Sequence, residues 1–282
     1  MRAKKKVLAA LDRTFTLYIP LLLFCVFILA PILWAVSTSL KSYSDIISSN
    51  VQIIPSHPTL ENFRALLTSG RFTTYIKNSL YVSSIACCFV LILALLNSYA
   101  MSRFRFRGRN GFLFMLLATQ LLPIVMLLIP LFIIFRKIGL TDSLWALIIF
   151  DVVIQTPFNS ALMKGFMDAV PYSLEEAGMI DGATRMQILR KIILPIVLPG
   201  IVATMAFAFI GCWNEFTVAY IFTNSGANFT LPVGLSTLIG EYSTDYGQLA
   251  AGALIGLIPP LLLFSYIQKY LVQGLSAGSV KG

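Results

Sequence analysis

The sequence predicts an all-α integral membrane protein with six transmembrane helices, and three observations carry that prediction. Apolar residues make up 57% of the 282 and charged residues only 12%, against roughly half and a quarter in soluble globular chains. The apolar residues are gathered into six long runs, each near the ~20 residues an α-helix needs to cross about 30 Å of hydrocarbon. Lys and Arg fall between these runs or close to their ends. A chain this apolar, with mean hydropathy +0.83, cannot hide its surface in one water-soluble core. Only helices and closed barrels satisfy their backbone groups inside lipid, and these runs are too long for barrel strands.

The expected spans are residues 15–37, 76–101, 111–135, 144–163, 196–222 and 249–272. The first follows a basic N-terminal segment (1–14). It lacks the short apolar core and small-residue cleavage site of a signal peptide, so it reads as a retained anchor. Five of the six contain proline: Pro20 and Pro31, Pro123 and Pro130, Pro157, Pro199, and Pro259 with Pro260. Proline kinks a helix by removing a backbone donor, which suits a moving pathway but is also common in membrane helices generally.

Orientation follows from the basic residues. With the N-terminus inside, the inner segments hold Arg2, Lys4, Lys5, Lys6, Arg13, Arg103, Arg105, Arg107, Arg109, Lys164, Arg185, Arg190, Lys191, Lys269 and Lys281, fifteen in all. The outer segments hold six: Lys41, Arg64, Arg71, Lys77, Arg136 and Lys137. Both termini are therefore expected in the cytoplasm, with a short tail at 273–282. The net charge of +9 then reflects membrane topology rather than a nucleic-acid partner. Cys25, Cys87, Cys88 and Cys212 lie in apolar stretches without metal-ligand spacing and read as small hydrophobes.

The inner loop 164–195 is the most informative stretch. Ser173-Leu174-Glu175-Glu176 fits a capping box, Gly182 suits a left-handed helix end, and Thr184-Arg185-Met186-Gln187 fits a second box. Helix, sharp turn and helix are expected, with Pro195 at the entry to the fifth span. Leu174, Ala177, Met179, Ile180, Met186, Ile188 and Leu189 exceed what a solvated loop needs, so some must pack on a partner or on helix ends.

Glu176-Ala177-Gly178, then Gly182, Ile192 and Leu194-Pro195 at the matching spacings, resemble the EAA loop of ABC importer permeases, with Gly178 in place of the usual Ala. Ser102-Arg103-Phe104-Arg105-Phe106-Arg107-Gly108 resembles the basic inner loop of carbohydrate-type permeases. Trp213-Asn214-Glu215-Phe216 resembles their fifth-span signature, and the tail Gly274-Leu275-Ser276-Ala277-Gly278-Ser279-Val280-Lys281-Gly282 resembles that of the second permease subunit of maltose-type importers. The resemblance implies the six-helix type I ABC importer permease fold with a cytoplasmic coupling loop. It implies a heterodimer with a second permease, two cytoplasmic ATPase subunits that bind ATP and Mg, and an extracellular or periplasmic sugar-binding protein, all in a bacterial cytoplasmic membrane. No cofactor is expected on this chain. Glu176, Ala177, Gly178, Asp181, Gly182 and Arg185 would meet the ATPase.

Asp151, Gln155 and Asn159, spaced by four, share one face of the fourth span. Polar groups in lipid turn toward the bundle interior or a water-filled cavity, so they and Asn214 are candidates for the substrate path, while interhelical bonding is the plainer alternative. Glu215 invites the same argument, or is simply wet near the outer surface. The outer loop 223–248 holds Asn224, Ser225, Gly226 and Asn228, a small polar set suited to a mobile loop that meets the binding protein. His57, the single histidine, reads as a solvated loop residue, and the Asn228-Phe229-Thr230 triplet as chance.

The function read here is a non-enzymatic permease importing a sugar or oligosaccharide. Glycerol phosphates or polyols are the alternative cargo. No Gly-x-x-x-x-Gly-Lys-Ser/Thr loop occurs in the chain, so energy must come from partners. A membrane-embedded enzyme would need a nucleophile–base set or metal cluster at one depth, and an ion-coupled carrier would have to rest on Asp151, the one acid well inside a span.

Overall fold

The computed structural model describes residues 14–48, 52–240 and 243–278, with side chains through Tyr270. The basic stretch before Thr14 and the last four residues of the tail lie outside the described residues. The chain divides into two compact units, one combining Met1–Gly70 with Thr237–Gly256 and the other Arg71–Ser236 with Leu257–Gly282.

In the first unit, a π-helical turn (Thr14–Tyr18) leads into α1 (Ile19–Ser39). Pro20 sits in its first turn, where the missing N–H costs nothing; Pro31 is internal. Residues 14–34 are all exposed. For a run of Leu, Ile and Phe this is a surface for lipid or for another membrane helix. The segment after α1 is closed by side-chain bonds. Ser42 caps α2 (Tyr43–Ile47) by accepting from the Asp45 amide at 3.3 Å. Asn62 of α3 (Glu61–Thr68) donates to the carbonyls of Ser39 and Lys41, each at 2.9 Å.

The second unit is built on α4 (Arg71–Arg103). Its buried face carries Ser79, Val82, Ser83, Ala86, Val90, Ala94 and Ser98 at helical spacing. Small residues on one stripe let helix backbones approach, which is how helices associate without a hydrophobic driving force. The opposite face, with Leu80, Tyr81, Phe89, Ile92 and Leu96, is exposed. After α4 come α5 (Arg109–Ala118), a 3₁₀ turn (Thr119–Leu121) and α6 (Ile124–Lys137). The sequence predicts one span at 111–135; the structure bends it by 94° between Leu121 and Ile124. Pro123 is the cause, since the residue before proline avoids the helical region, and Leu122 is extended at φ −74°, ψ 123°.

The fourth span, α7 (Leu144–Asp168), runs unbroken through Pro157. The inner loop carries α8 (Ser173–Ile180), α9 (Arg185–Ile188), a π turn (Leu189–Ile193) and α10 (Leu194–Ile196). α11 (Leu198–Trp213) follows after a 76° bend. The span expected at 196–222 therefore differs from the helix found. It starts after Val197, with Pro199 in its first turn, and stops at Trp213. A separate helix, α12 (Thr217–Phe222), begins where the Glu215 carboxylate accepts from the amides of Val218 at 2.7 Å and Ala219 at 2.9 Å. Glu215 is thus a helix cap, neither simply wet nor free for a cargo. α13 (Leu231–Ser236) closes the outer segment.

The core of this unit includes two large clusters. One joins Val82, Ala86, Leu147, Phe150, Cys212, Val218 and Phe222. The other, toward the inner loop, joins Ala94, Met163, Met167, Val170, Ile188, Ile193 and Val197. The last helix, α14 (Tyr246–Gly278), includes Pro259 and Pro260 and extends into the expected tail.

Candidate functional site

The inner loop has two unlike faces. Gly182 at φ +79° makes the corner after α8, a backbone conformation that only glycine takes without cost. The second capping box is present: the Thr184 amide donates to Gln187 Oε1 at 2.8 Å, and the Gln187 amide to Thr184 Oγ1 at 3.4 Å. The first is not. α8 starts one residue early, and the Tyr172 carbonyl takes the amides of Glu175 at 2.9 Å and Glu176 at 3.1 Å. The Ser173 side chain has no amide left to cap.

Glu175, Gly178 and Ile188 are buried on the inner face. A Cβ on Gly178 would fall 2.9 Å from Ile192 Cδ1 and 3.1 Å from Ile188 Cγ1. Gly178, which stands where the resembled pattern has Ala, is therefore a close seat between the two legs of the loop. The outer face exposes Leu174, Met179, Ile180 and Met186 among Glu176, Ala177, Asp181 and Arg185. Ile180 is 85% exposed.

Sequence reasoning singled out Glu176 and passed over its neighbour. Glu175 forms an ion pair with Arg103 at the end of α4, both side chains buried, and Arg103 also donates to the Val170 carbonyl at 3.0 Å. The Arg185 guanidinium lies 5.1 Å from the centre of the Phe104 ring, and Phe104 packs edge-on to Tyr99. The loop is therefore fastened to α4 by two contacts, beyond its covalent link to α11.

On α7, Asp151 is 3% exposed and Asn159 fully buried, while Gln155 is half-buried. All three turn toward other helices of the unit. Asp151 faces Cys212 of α11, and the Gln155 amide lies against Gly211. Asn159 donates to the Gln155 carbonyl at 2.8 Å, leaving its own Oδ1 without a protein partner. Next to them, Asn97 of α4 donates to Ser160 at 3.1 Å. Asn214 is exposed at the end of α11.

The outer segment is tied down rather than free. Asp142, at φ +54°, accepts on Oδ1 from the amides of Asn224 at 2.9 Å and Ser225 at 3.1 Å. Its own carbonyl accepts from Asn228 Nδ2 at 2.6 Å. Asn78 of α4 donates to the carbonyls of Ala227 and Phe229 at 2.7 and 2.9 Å. The polar residues that suggest mobility instead build a closed loop with Gly226 exposed at its tip. Partial burial pushes the Asp142 carboxyl up, but the Ser225 and Asn224 amides outweigh it and hold the group below the usual aspartate range. Among the described residues no group of His, Cys, Asp and Glu could hold a metal.

Residues 91–277 match the family model described as binding-protein-dependent transport system inner membrane component. The diacetylchitobiose uptake system permease protein of Streptomyces coelicolor is 37% identical over 252 residues, 89% of this chain and 91% of that protein. The galactooligosaccharides transport system permease protein of Bacillus subtilis is 35% identical over 269 residues, 94% of each chain. Among solved structures, a chain of a bacterial ABC transporter involved in the import of the acidic polysaccharide alginate superposes with TM-score 0.79 at 25% identity, covering 92% of this chain and 97% of that one. A chain of the MetNI methionine ABC transporter shares the fold at TM-score 0.58 and 20% identity, over 74% and 96%.

Proposed function

The chain belongs to the binding-protein-dependent transport system inner membrane components, and on that premise we propose that it forms half of the path by which an oligosaccharide crosses the membrane. It is a multi-pass membrane permease subunit of an ABC importer and not an enzyme; ATP hydrolysis belongs to a separate subunit. Oligosaccharide cargo is supported by the named cargoes of relatives, diacetylchitobiose and galactooligosaccharides. The side chains available on and beside α7 agree: Gln155, Asn159 and Asn214 are neutral donors and acceptors suited to hydroxyls, with Asp151 buried beside them.

The partners proposed are a second permease completing the path, two cytoplasmic ATPase subunits that hold ATP and Mg, and an external binding protein. Both termini lie in the cytoplasm in this reading, which follows the fifteen-to-six bias of basic residues. The outer loop with Asn224, Ser225, Gly226 and Asn228 then faces the binding protein as a preformed ridge.

One observation carries the coupling role. The inner face of α8 and α9 is buried on α4 and α7, while the outer face presents Ile180, Met179 and Met186 around Glu176, Asp181 and Arg185, exposed among the described residues. Large apolar side chains beside charges, on a loop held rigid by Gly182 and a capping box, form a face that a partner completes. A desolvated charge pair at such a face is worth a few kcal/mol. Glu176→Lys is expected to insert normally and lose sugar-stimulated uptake, with partial recovery when a basic residue of the ATPase is reversed. Uptake at the original rate in Glu176→Lys would sink the coupling role.

A further inference from the structure

The arginines between α4 and α5 are more numerous than any role in the coupling loop requires. Four arginines stand in seven residues, Arg103 to Arg109, and the sequence has no acidic residue from Asn62 to Thr141. Arg103 is occupied by Glu175 and the Val170 carbonyl, and Lys164 by Asp168. Arg105 and Arg109 have no acidic partner among the described residues. They line a groove of about 620 Å³ together with Ser102, Arg103, Tyr172 and the Lys164–Asp168 pair. A second hollow, about 590 Å³, is lined by the same two arginines along Arg105–Gly111.

The place of this groove matters as much as its charge. It lies where α4 ends, α5 begins and α7 ends, at one level of three apolar helices. Its wall includes Val170 and Pro171, the root of the coupling loop, and not the exposed tip at Ile180 and Met186. Phe104 and Phe106 alternate with the arginines and are 41% and 45% exposed. Cations interleaved with aromatic rings at helix ends suit the boundary between hydrocarbon and headgroups, and basic pockets between membrane helices on the cytoplasmic side take anionic headgroups.

We propose that Arg105 and Arg109 in this groove bind the phosphate of an anionic phospholipid of the inner leaflet, which braces the root of the coupling loop. The leaflet rests on the orientation given under the proposed function; the phosphate chemistry does not. The bound lipid neutralises Arg105 and Arg109, which no acid among the described residues pairs with, and holds the ends of α4 and α7 at a fixed spacing beneath Glu175.

The test uses the whole transporter, with its second permease and ATPase subunits, in nanodiscs of phosphatidylcholine with or without phosphatidylglycerol. Retained lipid is counted by native mass spectrometry. Wild type and an Arg136→Gln/Lys137→Gln control should retain phosphatidylglycerol, and Arg105→Gln/Arg109→Gln should bind it roughly tenfold more weakly. Phosphatidylglycerol should raise coupled uptake in wild type and not in the Arg105/Arg109 variant. Equal retention by all three proteins overturns the site. Displacement of the lipid by millimolar inorganic phosphate overturns the lipid as occupant. Loss of the ATPase subunits from the Arg105/Arg109 variant shows the arginines facing the ATPase instead and also overturns it. A cysteine at position 107 labelled from outside would invert the orientation while leaving the retention result standing.

Discussion

Two neighbouring acids divide the labour of the inner loop. Successive residues on a helix point about 100° apart, so Glu175 turns inward to Arg103 while Glu176 stays on the outer face. A buried charge is tolerated because it is paired; removing one partner strands the other and costs about 3–5 kcal/mol. Arg103→Gln and Glu175→Gln are each expected to lower the thermal stability of the assembled transporter and to release the loop. The exchange Arg103→Glu with Glu175→Arg should recover part of both. Single variants with unchanged melting would mean the pair is dispensable. Asp142 makes the matching fastening in the loop 223–248. Its side chain must stay ionised to hold two amides, and its depressed pKa places that stabilisation above the usual aspartate range, to be lost only as pH falls through the lower folded value. Asp142→Ala should speed hydrogen exchange at Asn224 and Ser225 at pH 7, and wild type should keep their protection at pH 5. Asp142→Asn, which tolerates a left-handed backbone, should lie between. Identical exchange in all three would remove Asp142 from the loop's support.

At the scale of elements, the glycines of the loop 164–195 have different duties. Gly182 supplies a positive φ, and Gly182→Leu should distort the corner without unseating α8. Gly178 supplies room, and Gly178→Val would drive a side chain into Ile188 and Ile192, where overpacking costs about 1–3 kcal/mol. Both should insert in the membrane and lose coupled uptake; only Gly178→Val should make the inner loop prone to limited proteolysis. Equal resistance of the two would show that the seat between the legs is not needed. On α7, Gln155 is the half-buried member of the polar row. Gln155→Leu should raise the sugar concentration needed for half-maximal uptake while leaving ATPase assembly intact, and unchanged uptake at limiting sugar would remove it from the path.

For the whole molecule, the apolar surface is the dominant fact. Residues 14–34 are exposed throughout, as are Leu121, Val125, Met126 and Ile129 around the break at Pro123. Lipid or another subunit must cover them. The orientation predicts that a single cysteine at position 281, in a cysteine-free background, reacts with an impermeant reagent only after the cells are opened. Reaction in intact cells would reverse every inside and outside assignment made here.

The sequence by itself determined that the chain is a helical membrane protein, where its apolar runs lie, and that an inner loop turns at Gly182. These follow from local chemistry: run length, proline and glycine geometry, and caps formed within a few residues, as at Thr184 and Gln187. Only the tertiary structure decided that Glu175 rather than Glu176 meets Arg103, that Gly178 is a packing seat, and that Asp142 closes a loop more than 80 residues away. Each of these depends on a partner distant in sequence or on which face of a helix turns inward. Hydropathy and spacing do not encode that choice, because it is made by the packing of α4, α7 and α11 against one another.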